Sequence, residues 1–305
     1  MSEIQERMRA AEREGPRDRR SVGKQARGRL LATMPVKERR LKLAGISTAV
    51  LEGGNGAPIV LLHGPGEYAA KWMRVIPDLV MTHHVIAPDL PGHGASRTPD
   101  GLLDADQVSA WLGELIDHTC PRPPVLVGQI LGGAIAVRFA IKHSGRLGQL
   151  VLVDALGLAP FQPTPEFGIA LTDFMTRPTG DTHDRLWRRC AFDLDSLRER
   201  MGESWEWLKA YNLDRARATN LHAAQHSLMT QFGLPAIPPA DLLRIKVRTT
   251  LIWGRHDLAT QLSIAEAASA RYGWALQVIE EAADDPPIEQ PEAFLKALRS
   301  TLGNC

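Results

Sequence analysis

Cysteine is scarce. Three in 305 residues, Cys120, Cys190 and Cys305, are too few and too scattered for a disulfide framework or a paired-thiol zinc site. Reduced thiols of this kind fit a cytoplasmic protein. Apolar runs are also short. None approaches the roughly 18 residues that a membrane span needs, and the N-terminus is charged where a secretory signal would be apolar, so no export and no membrane partner are expected. No H-x-H or H-E-x-x-H spacing occurs and no Gly-rich loop follows a strand as a phosphate cradle, so neither a metal nor any other cofactor is expected. The net charge is only +1, which leaves nothing global to attract nucleic acid.

Charge is present mainly at one end. Residues 1–40 hold twelve Lys or Arg against six Asp or Glu, which leaves the remainder net acidic. Ile4, Met8 and Ala11 have helical spacing before Pro16, which predicts a short helix followed by a loose segment up to Pro35. Two readings stay open for this basic extension, 1–38: a solvated tail, or a helix that covers the body or a partner.

From residue 39 the pattern turns to strands. Residues 40–43 and 46–52 read as a hairpin, and 59–62 is an unbroken apolar run of the kind buried on both faces of a parallel sheet. Helical spacing at 69–79 puts Trp72 and Val75 on one face; 84–87 is a strand and 108–116 a helix. The stretch 125–137 reads V-L-V-G-Q-I-L-G-G-A-I-A-V, a strand that turns sharply into a helix. A strand at 150–153 follows, and alternation then stops. Residues 155–240 read as a helical insert rich in aromatics; strands at 249–253 and 276–279 and helices at 264–272 and 291–302 complete the chain. Alternating strands and helices imply a mainly parallel sheet, with ligands beyond the C-terminal strand ends.

The motifs at those ends are H-G-P-G from His63, D-L-P-G-H-G-A-S from Asp89, the elbow at 128–133, W-G-R-H-D ending at Asp257, and P-P-I-E-Q-P-E-A-F from Pro286. Together they resemble the α/β-hydrolase superfamily, most closely its capped esterases, carbon-carbon bond hydrolases and epoxide hydrolases. The resemblance implies an α/β-hydrolase fold with core segments 39–154 and 241–305 and a helical cap at 155–240. It also implies a nucleophile at the centre of G-x-S-x-G, a histidine base, an orienting acid and two backbone oxyanion donors. Asp257 matches the acid. The nucleophile position holds Ile130, which has no lone pair to attack with; the histidine position holds Asp284; and one donor position holds Pro65, which has no N–H. The Leu131 amide survives as the second donor, and Gly66 is a substitute for the first if the loop shifts.

The catalytic candidates are therefore Asp257, Asp284 and His63. Two close carboxylates would share a proton, or else Asp284-Asp285 is only a polar turn. His63 either supports its loop or moves protons. Ile130, Gln129, Leu131, Pro65, Gly66 and Glu67 are expected around a small-molecule ligand, with Gln129 and Glu67 alternatively only solvent-exposed. The oligomeric state is left open. Three functions follow: an acid–base lyase, isomerase or cyclase without serine-hydrolase chemistry; a non-catalytic ligand-binding or partner protein; or a hydrolase of a small ester or carbonyl compound that uses bound water.

Overall fold

The computed structural model describes residues 16–98 and 103–302, with the backbone alone for 16–21. A helix, α1 (Pro16–Ala32), leads into a hairpin of β1 (Lys37–Leu43) and β2 (Ile46–Gly53), closed by Ala44 and Gly45, both at positive φ as a two-residue hairpin turn requires. The remaining strands are β3 (Ala57–Leu62), β4 (His83–Pro88), β5 (Val125–Gln129), β6 (Gln149–Val153), β7 (Thr249–Gly254) and β8 (Ala275–Ile279). They form one sheet in the order β1-β2-β4-β3-β5-β6-β7-β8, antiparallel as far as β4 and parallel beyond it. This is the expected α/β-hydrolase architecture.

The continuous apolar runs are explained by the two covered faces. Ile59, Leu61, Val85 and Val127 pack on one side of the sheet, while Val60, Leu62, Ile86 and Leu126 pack on the other. Helices α2 (Ala105–Thr119) and α3 (Leu131–His143) cover the second face. Between β6 and β7 the chain forms the helical insert: α4 (Pro165–Thr176), α5 (Gly180–Cys190), α6 (Leu194–Met201), α7 (Glu203–Ala216) and α8 (Thr219–Leu228). Helices α9 (Leu262–Tyr272) and α10 (Pro291–Leu302) complete the alternation. No helix among the described residues is long and apolar enough to cross a membrane.

Two local expectations are corrected. The predicted helix at 69–79 is a 3-10 turn, Ala69–Arg74, and a separate short helix, Ile76–Leu79, although Trp72 and Val75 are buried as expected. Pro77 accounts for the break, because it lacks the N–H that would continue the first turn yet is tolerated at the start of the second. The loose segment predicted after Pro16 is instead α1. Ala26 and Leu30 on its inner face, and Met34 just beyond it, are buried, and Gly23 lies so close to α7 that a Cβ would fall 2.2 Å from Asp214 Cγ. Arg27 pairs with Glu38 and lies 3.8 Å from buried Asp89. The helix predicted from Ile4, Met8 and Ala11 lies outside the described residues.

Candidate active site

The strand-to-helix turn at 129–131 is as sharp as the sequence implies. β5 ends at Gln129 and α3 begins at Leu131, so Ile130 alone makes the turn, at φ 46° and ψ −104°. A β-branched residue in that region is strained by about 1–3 kcal/mol. Hydrogen bonds hold it there: Ile130 N donates to Val153 O at 2.9 Å, and Ile130 O accepts from Ala134 N and Leu156 N, both at 3.1 Å. The flanking glycines permit the packing. A Cβ on Gly128 would lie 2.5 Å from Gly132 O, and one on Gly132 would lie 2.4 Å from Leu62 O.

Above this turn, between the strand ends and the insert, is a cavity of about 170 Å³. Ile130, 9% exposed, forms part of its wall with Pro65, Gly66 and Glu67. Phe161, Phe167, Phe174 and Trp187 supply aromatic walls from the insert. Of the residues named from sequence, Asp284 joins them, and Asp257, His63, Gln129 and Leu131 do not.

Each of those four has another place. His63 is fully buried; its Nδ1 bonds Gly64 O at 2.8 Å and its Nε2 accepts from Leu90 N at 2.9 Å. Burial lowers its pKa to about 3, so it stays neutral and fixes two loops, which corrects the expectation of proton transfer. The Leu131 side chain is in the core. Gln129 lies beneath the cavity, where its amide donates to Asp284 O at 3.2 Å and to Asp285 Oδ1 at 3.1 Å, so it positions the acidic loop and is not solvent-exposed. Asp257 borders a separate surface cleft with Arg188, Arg189 and Arg255. Its Oδ1 accepts from Ala259 N at 2.6 Å and Thr260 N at 2.9 Å, and its Oδ2 from the Thr260 hydroxyl.

Three carboxyls cluster behind the cavity. Burial raises Asp257 to about 6 against those hydrogen bonds, and burial together with Asp257 raises Asp154 at the end of β6 well above the carboxylate range. Asp154, at φ 44°, accepts from Gly254 N at 2.9 Å and leaves its buried Oδ2 without a partner. Asp284, on the cavity wall, is also raised well above the ordinary range by burial, then by Asp257, Asp285 and Glu289.

A charged group that sequence reasoning missed stands beside it. Lys71 is buried with its ammonium on Asp285, 3.1 Å from Glu67 Oε1, and 4.5 Å from the centre of the Trp187 ring. Burial opposes its charge, but Asp285 and Glu67 outweigh that and raise its pKa above the usual lysine value. Glu67 Oε2 accepts from Gly64 N at 2.8 Å. Glu289, raised to about 7 by burial, accepts from Phe192 N at 2.6 Å and Ala283 N at 2.8 Å, and so ties the acidic loop to the insert. Cys190 lines the cavity and its carbonyl accepts from Asp284 N at 3.2 Å; burial and the nearby Asp284 carboxyl raise its pKa well up, so it is a thiol and a poor nucleophile.

Comparison with known proteins agrees with this architecture. Residues 59–297 match the model of the Alpha/beta hydrolase family. The 2-hydroxy-6-oxo-2,4-heptadienoate hydrolase of Pseudomonas putida is 38% identical over 125 residues, 39% of this chain and 45% of that enzyme, so this match spans less than half of the relative. The pimeloyl-[acyl-carrier protein] methyl ester esterase of Aeromonas salmonicida is 28% identical over 271 residues, 85% of this chain and 100% of that enzyme. Among solved structures, naproxen esterase from Bacillus subtilis superposes with a TM-score of 0.78 at 18% identity, covering 94% of this chain and 99% of the other. The 2-hydroxy-6-oxo-6-phenylhexa-2,4-dienoate hydrolase of a Rhodococcus species gives 0.77 at 23% identity, covering 88% and 99%. The fold, the elbow geometry and the family match lead to one conclusion: this chain belongs to the alpha/beta hydrolase family.

Proposed function

We propose that this chain hydrolyses a small, largely apolar carbonyl compound with water as the nucleophile and Asp284 as the proton carrier. One observation carries the reading: the Asp284 carboxyl lies on the wall of a cavity with aromatic sides whose nucleophile position is filled by Ile130. In its ionised form Asp284 takes a proton from water as that oxygen bonds the carbonyl carbon, and the carbonyl electron pair moves onto its own oxygen. When the carbonyl re-forms, the bond to the leaving group breaks and the leaving group departs with the proton held by Asp284. The N-terminal end of α3 favours the transient negative oxygen. A carboxyl whose pKa is raised by burial is a stronger base, once ionised, than an ordinary aspartate. The hydrolase names of the relatives support this reading.

A second reading draws on the same residue. Burial shifts Asp284 toward its protonated form, the state required of a proton donor in a lyase, isomerase or cyclase reaction. The pH dependence of turnover of phenyl acetate, chosen as a small neutral ester, separates the two. Hydrolysis through ionised Asp284 rises with pH through the apparent pKa of the carboxyl group cluster. A rate on any substrate that falls over the same range supports the donor role, and absence of turnover on a broad panel of esters and ketones leaves a binding protein.

A further inference from the structure

We infer that the cavity selects an uncharged, benzene-sized ligand and turns away carboxylates, including the dienoate type in the relatives' names. The inference rests on reading this cavity as the substrate site. Its volume of about 170 Å³ is close to the ~150 Å³ that holds a benzene-sized molecule. Among the described residues on its wall, Lys71 is the only cation, and it already faces Asp285 and Glu67. Among the described residues, no arginine or histidine lines the space to receive a ligand carboxylate. An anion entering here meets at least two carboxylates for one matched ammonium.

A second cation fares little better. Glu67 Oε1 and Asp285 Oδ2 accept from Lys71, Glu67 Oε2 from Gly64 N, and Asp285 Oδ1 from Gln129, so all four oxygens are engaged. The remaining carboxyl, Asp284, lies by Cys190, whose carbonyl accepts from the Asp284 amide at 3.2 Å, and burial favours its protonated form. What the wall offers a ligand is aromatic surface from Phe161, Phe167, Phe174 and Trp187, with the amide of Gln225 above Gly66. Neutral arenes that carry one carbonyl match that lining.

Calorimetric titration of the full chain at neutral pH with benzamide, benzoate and benzylamine tests this, because the three share a ring and differ in charge. Benzamide is expected to bind tightest, with benzoate weaker by at least about tenfold. Glu67→Gln, which removes one negative charge from the wall, is expected to narrow the benzamide-to-benzoate ratio by at least about threefold. The wild-type ranking stands even if that variant misfolds. Benzoate equal to or tighter than benzamide, benzylamine tightest, no binding of any of the three at millimolar concentration, or an unchanged ratio in folded Glu67→Gln would each overturn the inference. Binding is read without turnover, so a failure of Asp284 as proton carrier leaves this result intact, and a reversed ranking leaves the hydrolytic chemistry to be judged separately.

Discussion

The two walls of the cavity have kept different things. At the elbow, the backbone retains a strained single-residue turn and closely packed glycines, while the side chain at its tip is an isoleucine with no chemistry. Beside it, on the charged wall, the 3-10 turn at Ala69–Arg74 and the loop after β8 bring together Lys71, Asp284 and Asp285, with Glu67 next to them. Backbone geometry and reactive chemistry are thus separable. Gly128, Gly132 and Ile130 tie β5 to α3 and to β6, so the turn is held by backbone contacts whatever side chain stands at its tip.

The comparison breaks most visibly on the charged wall. Lys71→Met is expected to destabilise the protein by about 3–5 kcal/mol, because it leaves Asp285 and Glu67 buried without their cation. Urea unfolding measures this, and a loss below about 1 kcal/mol would mean that the carboxylates find solvent or protons without penalty.

Behind that wall, Asp257 binds its proton more tightly in the folded than in the unfolded protein, with a pKa of about 6 against an ordinary 3.8. Its contribution is therefore most favourable below about pH 4, and stability falls as pH rises toward 6, by about 3 kcal/mol in all. Asp257→Asn keeps an acceptor for the Ala259 and Thr260 amides and should flatten this slope, raising the urea midpoint at pH 7 relative to wild type. An unchanged slope would place the titration elsewhere in the cluster.

Much of this fold was legible because its signals are local. Apolar runs such as 59–62 and 125–127 need no distant partner to be recognised as buried strands, and the Gly128–Gly132 spacing announces the turn. Of the residues that motif spacing singles out, Pro65, Gly66, Glu67, Ile130 and Asp284 line the cavity, and Gln129, Leu131, His63 and Asp257 do not. Lys71 escaped notice because its meaning lies in Asp285, 214 residues away, and in Trp187 of the insert. Its own neighbours read only as one side of a helix. Cys190 reads as one scattered thiol of three for the same reason. Helix α1 was hidden by composition: Ala26 and Leu30, followed by Met34, make a narrow buried stripe in a segment dominated by arginine.

The elbow wall should respond weakly. Ile130→Gly is expected to change stability by less than about 1 kcal/mol, since release of the positive-φ strain, about 1–3 kcal/mol, offsets the lost apolar contact. A loss above about 3 kcal/mol, typical of emptying a core position, would show that the turn is not strained by its side chain. Smallest of all should be the gain from Ile130→Ser. With His63 neutral and fixed to backbone, Asp284 in place of a histidine, and no N–H at Pro65, the serine lacks the groups that act with it, and little esterase activity should appear. Labelling by a serine-directed phosphonate at the rate of ordinary family members would contradict the reading of those positions.

The central claim is that chemistry in this cavity runs through Asp284 and not through a nucleophile at the elbow. The most direct measurement compares turnover of a neutral ester by wild type and Asp284→Asn, with benzamide affinity measured on both. The account predicts a fall in turnover of at least about a hundredfold with affinity held within about tenfold, because the substitution removes a proton carrier and little contact area. Turnover retained by Asp284→Asn at the wild-type rate would contradict it.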